Sequence, residues 1–190
     1  GYGAGCKVLP ARSDCAADSA YPALLAKRLL LPIVNLGQPG ATTRDGLLRT
    51  EDAIALAPVL ALIELGGNDL IQGIAVEEAR ANLEKMIDRL HAEGIAVALL
   101  SSSHPDMIES TPAGHRLADL VSEALAYHAM LVDLAAARDL PLVEFLFEGI
   151  WWQRELMYDS LHPNGVGYLR MEENILRSLG DFLNANRMLK

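Results

Sequence analysis

The strongest constraint on this chain is the placement of its uninterrupted apolar runs, which alternate with segments of helical periodicity. Residues 59–65, Val-Leu-Ala-Leu-Ile-Glu-Leu, and residues 95–100, Ile-Ala-Val-Ala-Leu-Leu, do not switch between apolar and polar faces. A strand with this pattern must be covered on both sides, which is the situation in a parallel sheet flanked by helices. Residues 76–93 place Ala79, Leu83, Met86 and Leu90 on one helical face and end at Gly94, and the tail 165–186 does the same with Met171, Ile175, Leu179 and Phe182. Further helices are predicted over 21–30, over 43–57 with Thr42 or Thr43 as cap, and over 114–138, with short strands at 32–36 and 141–146. The expected class is α/β, with the site in loops at the carboxyl ends of the strands. No composition break marks a linker, and 190 residues with 51% hydrophobic content suffice for one core, so a single domain over 1–190 is expected.

Charge narrows the partners. A net charge of −9 leaves no basic stripe for a phosphate backbone, so small molecules rather than nucleic acid are the expected partners. No apolar run reaches the roughly 18–20 residues of a spanning helix, so no integral membrane segment is expected. Two cysteines, Cys6 and Cys15, are too few for a disulfide framework; they either pair in an exported protein or stay as thiols. No His, Cys or carboxylate spacing resembles a ligand set, and neither a metal nor an organic cofactor is expected.

Three loops concentrate the polar residues. In Asn35-Leu-Gly-Gln-Pro-Gly-Ala-Thr-Thr43, Gly40 stands just ahead of a helix start and is either a turn glycine or a backbone donor to an anion. In Leu65-Gly-Gly-Asn-Asp-Leu70, Asn68 is either a turn residue or an amide donor to a developing oxyanion. In Tyr158-Asp-Ser-Leu-His-Pro-Asn-Gly165, Asp159 and His162 are either a chance surface pair or an acid orienting a base through Nδ1.

Taken together, "NLGQPGATT", "ELGGND" and "YDSLHPNG" resemble the SGNH, or GDSL-type, serine hydrolases, and most closely their bacterial thioesterase I/lysophospholipase and arylesterase branch. The resemblance runs over nearly the whole chain, including "AYPALLAKRL" at residues 20–29. It implies a three-layer α/β/α sandwich with a flavodoxin-like sheet of order 2-1-3-4-5. It also implies a substrate that is an ester or thioester, Gly40 and Asn68 as oxyanion-hole donors, His162 as general base and Asp159 as its orienting partner.

The family's Gly-Asp-Ser motif does not occur in the sequence. If Gly1-Tyr2 corresponds to the end of a GDSLSAGY-like block, the nucleophilic serine falls four positions ahead of Gly1, and the first, central strand earlier still. The expectation is therefore a domain incomplete at its N-terminus, unstable or inactive as 190 residues, and periplasmic or secreted if a signal peptide precedes Gly1, otherwise cytoplasmic. Ser19 reads as a helix N-cap, Ser13 has less support as a nucleophile, and Ser101, Ser102 and Ser103 read as substrate-facing groups. His104 reads as a solvated loop residue, and His91, His115 and His128 as structural or exposed. Trp151 and Trp152 either cover an acyl or aryl pocket or pack on the last helix. Two functions remain open: an esterase or thioesterase, carbohydrate acetyl-esterases included, and a non-catalytic remnant that binds a ligand.

Overall fold

The computed structural model describes residues 19–115 and 118–190, apart from the side chains of Asp106 and Met107. The expectations for Cys6, Cys15, Ser13 and the Gly1-Tyr2 start lie outside the described residues. The chain forms two compact units, Gly40–Phe145 and a second containing Leu146–Lys190 with the described part of Gly1–Pro39.

In the first unit, β1 (Leu60–Ile63), β2 (Ala96–Leu100) and β3 (Leu142–Val143) form a sheet of order β1-β2-β3 with both pairings parallel. This is the arrangement expected for the 3-4-5 part of a flavodoxin-like sheet. Val97, Ala98, Leu99 and Leu100 are all buried, so β2 is covered on both faces as its composition requires. The helices are α2 (Thr43–Leu48), α3 (Thr50–Ile54), α4 (Gly67–Gln72), α5 (Val76–Ala92), α6 (Pro105–Glu109) and α7 (Val121–Ala137). Leu83, Met86, Ile87 and Leu90 of α5 meet Val97 and Leu99 of β2 and Tyr127, Leu131 and Leu134 of α7 in one apolar cluster. Burial of each such side chain contributes on the order of 1.5–3 kcal/mol.

In the second unit, α1 (Tyr21–Arg28) packs on the long α8 (Gly165–Ala185), and Leu29 bridges Leu189. Asn164 caps α8 by accepting from the backbone N–H groups of Val166 and Gly167 at 3.0 and 3.1 Å. Asn174, buried on α8, donates to the carbonyls of Leu146 and Glu148 and fixes the turn that follows β3. Glu172, also buried on α8, is held by Arg28 at 3.0 Å.

Several boundaries depart from the sequence reading. The helix expected over 43–57 is two helices, because buried Thr50 turns its hydroxyl back onto the Gly46 carbonyl at 3.1 Å and the chain breaks at Arg49. Thr42 is its cap, in a reciprocal box with Asp45. The helix expected over 114–138 starts late: Gly114 has φ +79°, and a turn of 3₁₀ helix at Ala118–Leu120 leads into α7. Residues 32–36 take no regular secondary structure and join no strand of the described sheet, and Val34 is exposed rather than buried. The strand expected over 141–146 stops at Val143, where the chain turns. The N-cap of α1 is Ala20, one residue past Ser19, with no side-chain cap. By length and composition alone the helical segment Ala118–Ala137 could cross a membrane, contrary to the expectation that no run is long enough. Its Ala124, Tyr127, Met130, Leu131 and Leu134 are instead buried, which is the signature of a core helix.

Candidate active site

Asp159 and His162, the expected acid and base, are held by one short loop of the second unit. Asp159 Oδ2 lies 2.8 Å from His162 Nδ1, while Asp159 Oδ1 accepts the backbone N–H groups of Leu161 and His162 at 2.7 and 2.8 Å. The loop closes on itself, since Tyr158 N–H donates to the His162 carbonyl at 2.7 Å and Met157 bridges Pro163. Behind it, Gly167 leaves room for the backbone: a Cβ there would stand 2.3 Å from the Leu156 carbonyl oxygen and 2.7 Å from Pro163 Cβ. Burial works to raise the Asp159 carboxyl, but the bonds from the His162 ring and from the Leu161 and His162 N–H groups, with the imidazolium charge, hold it below the usual carboxylate range. A carboxylate kept ionised beside Nδ1 places the ring proton on that nitrogen and the lone pair on Nε2, the arrangement of a general base.

Gly40 and Asn68, the expected oxyanion donors, stand in two loops of the first unit. Asn68, at the start of α4, donates one amide hydrogen to the Ala41 carbonyl at 2.9 Å, and its NH₂ group has a second to give. Gly40 carries φ +77°, a conformation that favours glycine, and its carbonyl accepts from Gln72 at 3.2 Å. Gly66, at φ +113°, provides the sharp exit from β1 that brings Asn68 to the sheet end.

Asp69 joins these loops, a role the sequence reading did not assign. It is fully buried, with its carboxylate taking the Thr43 backbone N–H at 2.9 and 3.1 Å and the Thr43 hydroxyl at 2.5 Å; Asn82 of α5 donates to the same hydroxyl at 3.1 Å. An Asp directly after the loop asparagine, with a Thr just past the loop glycine, was the available signal. The structure thus joins the Gly40 loop to Asn68 and Asp159 to His162.

Two readings need correction, those of Ser101 and His104, whereas His128 is buried as a structural role requires. Ser101 is not substrate-facing: it is 1% exposed, and its hydroxyl donates to the Ser103 carbonyl at 3.0 Å. His104 is not solvated, because its side chain is 13% exposed and lies on the Phe145 ring at 4.2 Å between centroids. His128 does have an acidic neighbour, Glu144, whose Oε1 stands 3.2 Å from Nε2. Trp151 packs edge-on against both Phe147 and Trp152, at 5.3 and 5.0 Å between ring centroids.

Residues 1–170 match the GDSL-like lipase/acylhydrolase family. The chain belongs to that family. It is 33% identical over 173 residues to the esterase TesA of Pseudomonas aeruginosa, across 87% of this chain and 81% of that protein. It is also 28% identical over 152 residues to the thioesterase 1/protease 1/lysophospholipase L1 of Escherichia coli, across 78% and 68% of the two chains. A crystal structure of TesA superposes with a TM-score of 0.72 at 30% identity, across 87% of this chain and 90% of that one. The GDSL-like family resemblance read from "LGGND" and "DSLHPN" is therefore shown, as is the hydrolase α/β fold it implied.

Proposed function

We propose that this family member is a serine esterase or thioesterase acting through an acyl-enzyme, with His162 as general base, Asp159 as its orienting acid, and the Gly40 N–H and Asn68 amide as oxyanion donors. The observation that carries the reading is the 2.8 Å contact between Asp159 Oδ2 and His162 Nδ1 inside a loop that fixes the same carboxylate with two backbone N–H groups. The names of the relatives, an esterase and a thioesterase/lysophospholipase, support the substrate class.

The attacking group is a seryl hydroxyl, which the family resemblance assigns to a Gly-Asp-Ser element that residues 1–190 do not contain. His162 Nε2 takes its proton as Oγ bonds to the acyl carbon, and the carbonyl oxygen, now anionic, is held by Gly40 and Asn68. His162 then returns the proton to the leaving alcohol or thiol, and water repeats the sequence on the acyl-serine. Asn68 is suited to its part because the bond to Ala41 leaves its amide little freedom to reorient as charge develops.

The test is hydrolysis of p-nitrophenyl esters of increasing acyl length by protein carrying the Gly-Asp-Ser element. His162→Ala is expected to lower kcat by on the order of 10⁴-fold or more, with folding intact by circular dichroism. Esterase activity unchanged in that variant, or a fluorophosphonate label found on one of Ser101–Ser103, would overturn the reading.

A further inference from the structure

Three chemically apt side chains that have no part in the proposed ester chemistry converge at the carboxyl end of the sheet. His104 follows β2, His128 lies within α7, and Glu144 immediately follows β3. His128 Nε2 stands 3.2 Å and His104 Nε2 3.9 Å from the same oxygen, Glu144 Oε1, and one donor atom from each of the three residues lies within 4.8 Å of the others. We propose that these residues bind a Zn²⁺ ion through His104 Nε2, His128 Nε2 and Glu144 Oε1.

Two imidazoles and one carboxylate are a ligand set that zinc takes with a fourth position open to water. Zinc–ligand bonds of about 2.0–2.1 Å at tetrahedral angles put donor atoms about 3.3 Å apart. The His128–Glu144 pair already matches that spacing. The His104–Glu144 pair, at 3.9 Å, must close by about 0.6 Å to reach that tetrahedral edge, and the two imidazoles, whose donor atoms lie within 4.8 Å of each other, must draw together with it.

The surroundings of His128 support the assignment independently. Ser101 Oγ lies 3.5 Å from His128 Nδ1 and is committed as a donor to the Ser103 carbonyl, so it presents a lone pair to the ring. This favours the hydrogen on Nδ1 and the lone pair on Nε2, directed at Glu144. In that tautomer a cation between His128 Nε2 and Glu144 Oε1 would be bound by both. Metal-bound histidines are held in this way, with the far nitrogen donating to a fixed acceptor. His128 and Ser101 are both buried, so the arrangement is rigid on that side. An ion here would tie the loop after β2, α7 and the end of β3.

The experiment is titration of chelator-treated, purified protein with Zn²⁺ against a chromophoric competitor, with Co²⁺ as a spectroscopic substitute. Uptake of one ion per chain, a rise in Tm with zinc and the visible bands of four-coordinate cobalt are expected. Glu144→Gln and His104→Ala should each weaken binding at least tenfold while His91→Ala, on the exposed face of α5, leaves it unchanged. His104 and Glu144 are used because replacing buried His128 risks the fold, and circular dichroism confirms that each variant is folded. No uptake by the chelated protein, equal affinity in the Glu144 and His104 variants, or loss through His91→Ala would overturn the proposal. The readout is metal binding, so its outcome does not depend on ester hydrolysis.

Discussion

Asp159 meets three donors within its own loop, and that concentration of bonds sets what a single substitution should do. Asp159→Asn keeps the shape but removes the charge that places the proton on His162 Nδ1, and kcat should fall by roughly 10³–10⁴-fold in the ester assay, with little change in KM. The acid side of the stability profile follows from the lowered Asp159 carboxyl. A folded-state value below the unfolded one gives stabilisation that is complete above the ordinary carboxylate range, about pH 4, and is lost as pH falls through the folded value. Urea unfolding of wild type and Asp159→Asn should therefore differ at pH 7 and converge toward pH 3. Asn68→Ala removes the proposed oxyanion donor and should lower kcat by about 10²–10³-fold, again by steady-state kinetics. The contact between Asp159 and His162 was legible because the two stand three positions apart. His104, His128 and Glu144 were not, since each comes from a different element and only the folded sheet brings them together.

Among the elements, those with a long uniform period were read well and those shaped by a single side chain were not. The 76–93 and 165–186 predictions differ from α5 and α8 by a residue at an end, because four apolar positions on one face define each helix. The split between α2 and α3 depends on where the Thr50 hydroxyl turns, and the late start of α7 on the backbone of Gly114. The Thr42–Asp45 box gives a measurable element-scale effect. Thr42→Ala should cost about 1 kcal/mol by denaturant unfolding. It should also let the Asp45 carboxyl rise toward its ordinary range in an NMR titration, since the Thr42 backbone and hydroxyl bonds are what lower it. At the start of α8, Gly167→Ala has no room against Leu156 and Pro163. It should destabilise by roughly 1–3 kcal/mol and distort the His162 loop, seen as a fall in both Tm and esterase activity.

At the scale of the molecule, the α/β class and the family were legible because apolar runs fix a covered sheet and three loop motifs fix the chemistry. Less legible was the pairing of residues 32–36, since an apolar run states that a strand would be favourable there, not which neighbour it would meet. The first unit has its core around β2, and Leu99→Ala, at a fully buried position, should cost about 2–5 kcal/mol in urea unfolding. The second unit carries Asp159 and His162 in one closed turn between Met157 and Pro163. Acid and base on a single turn make a heritable cassette: insertion, deletion or grafting moves both together, so their mutual geometry survives rearrangements that would scatter a dyad assembled from distant segments.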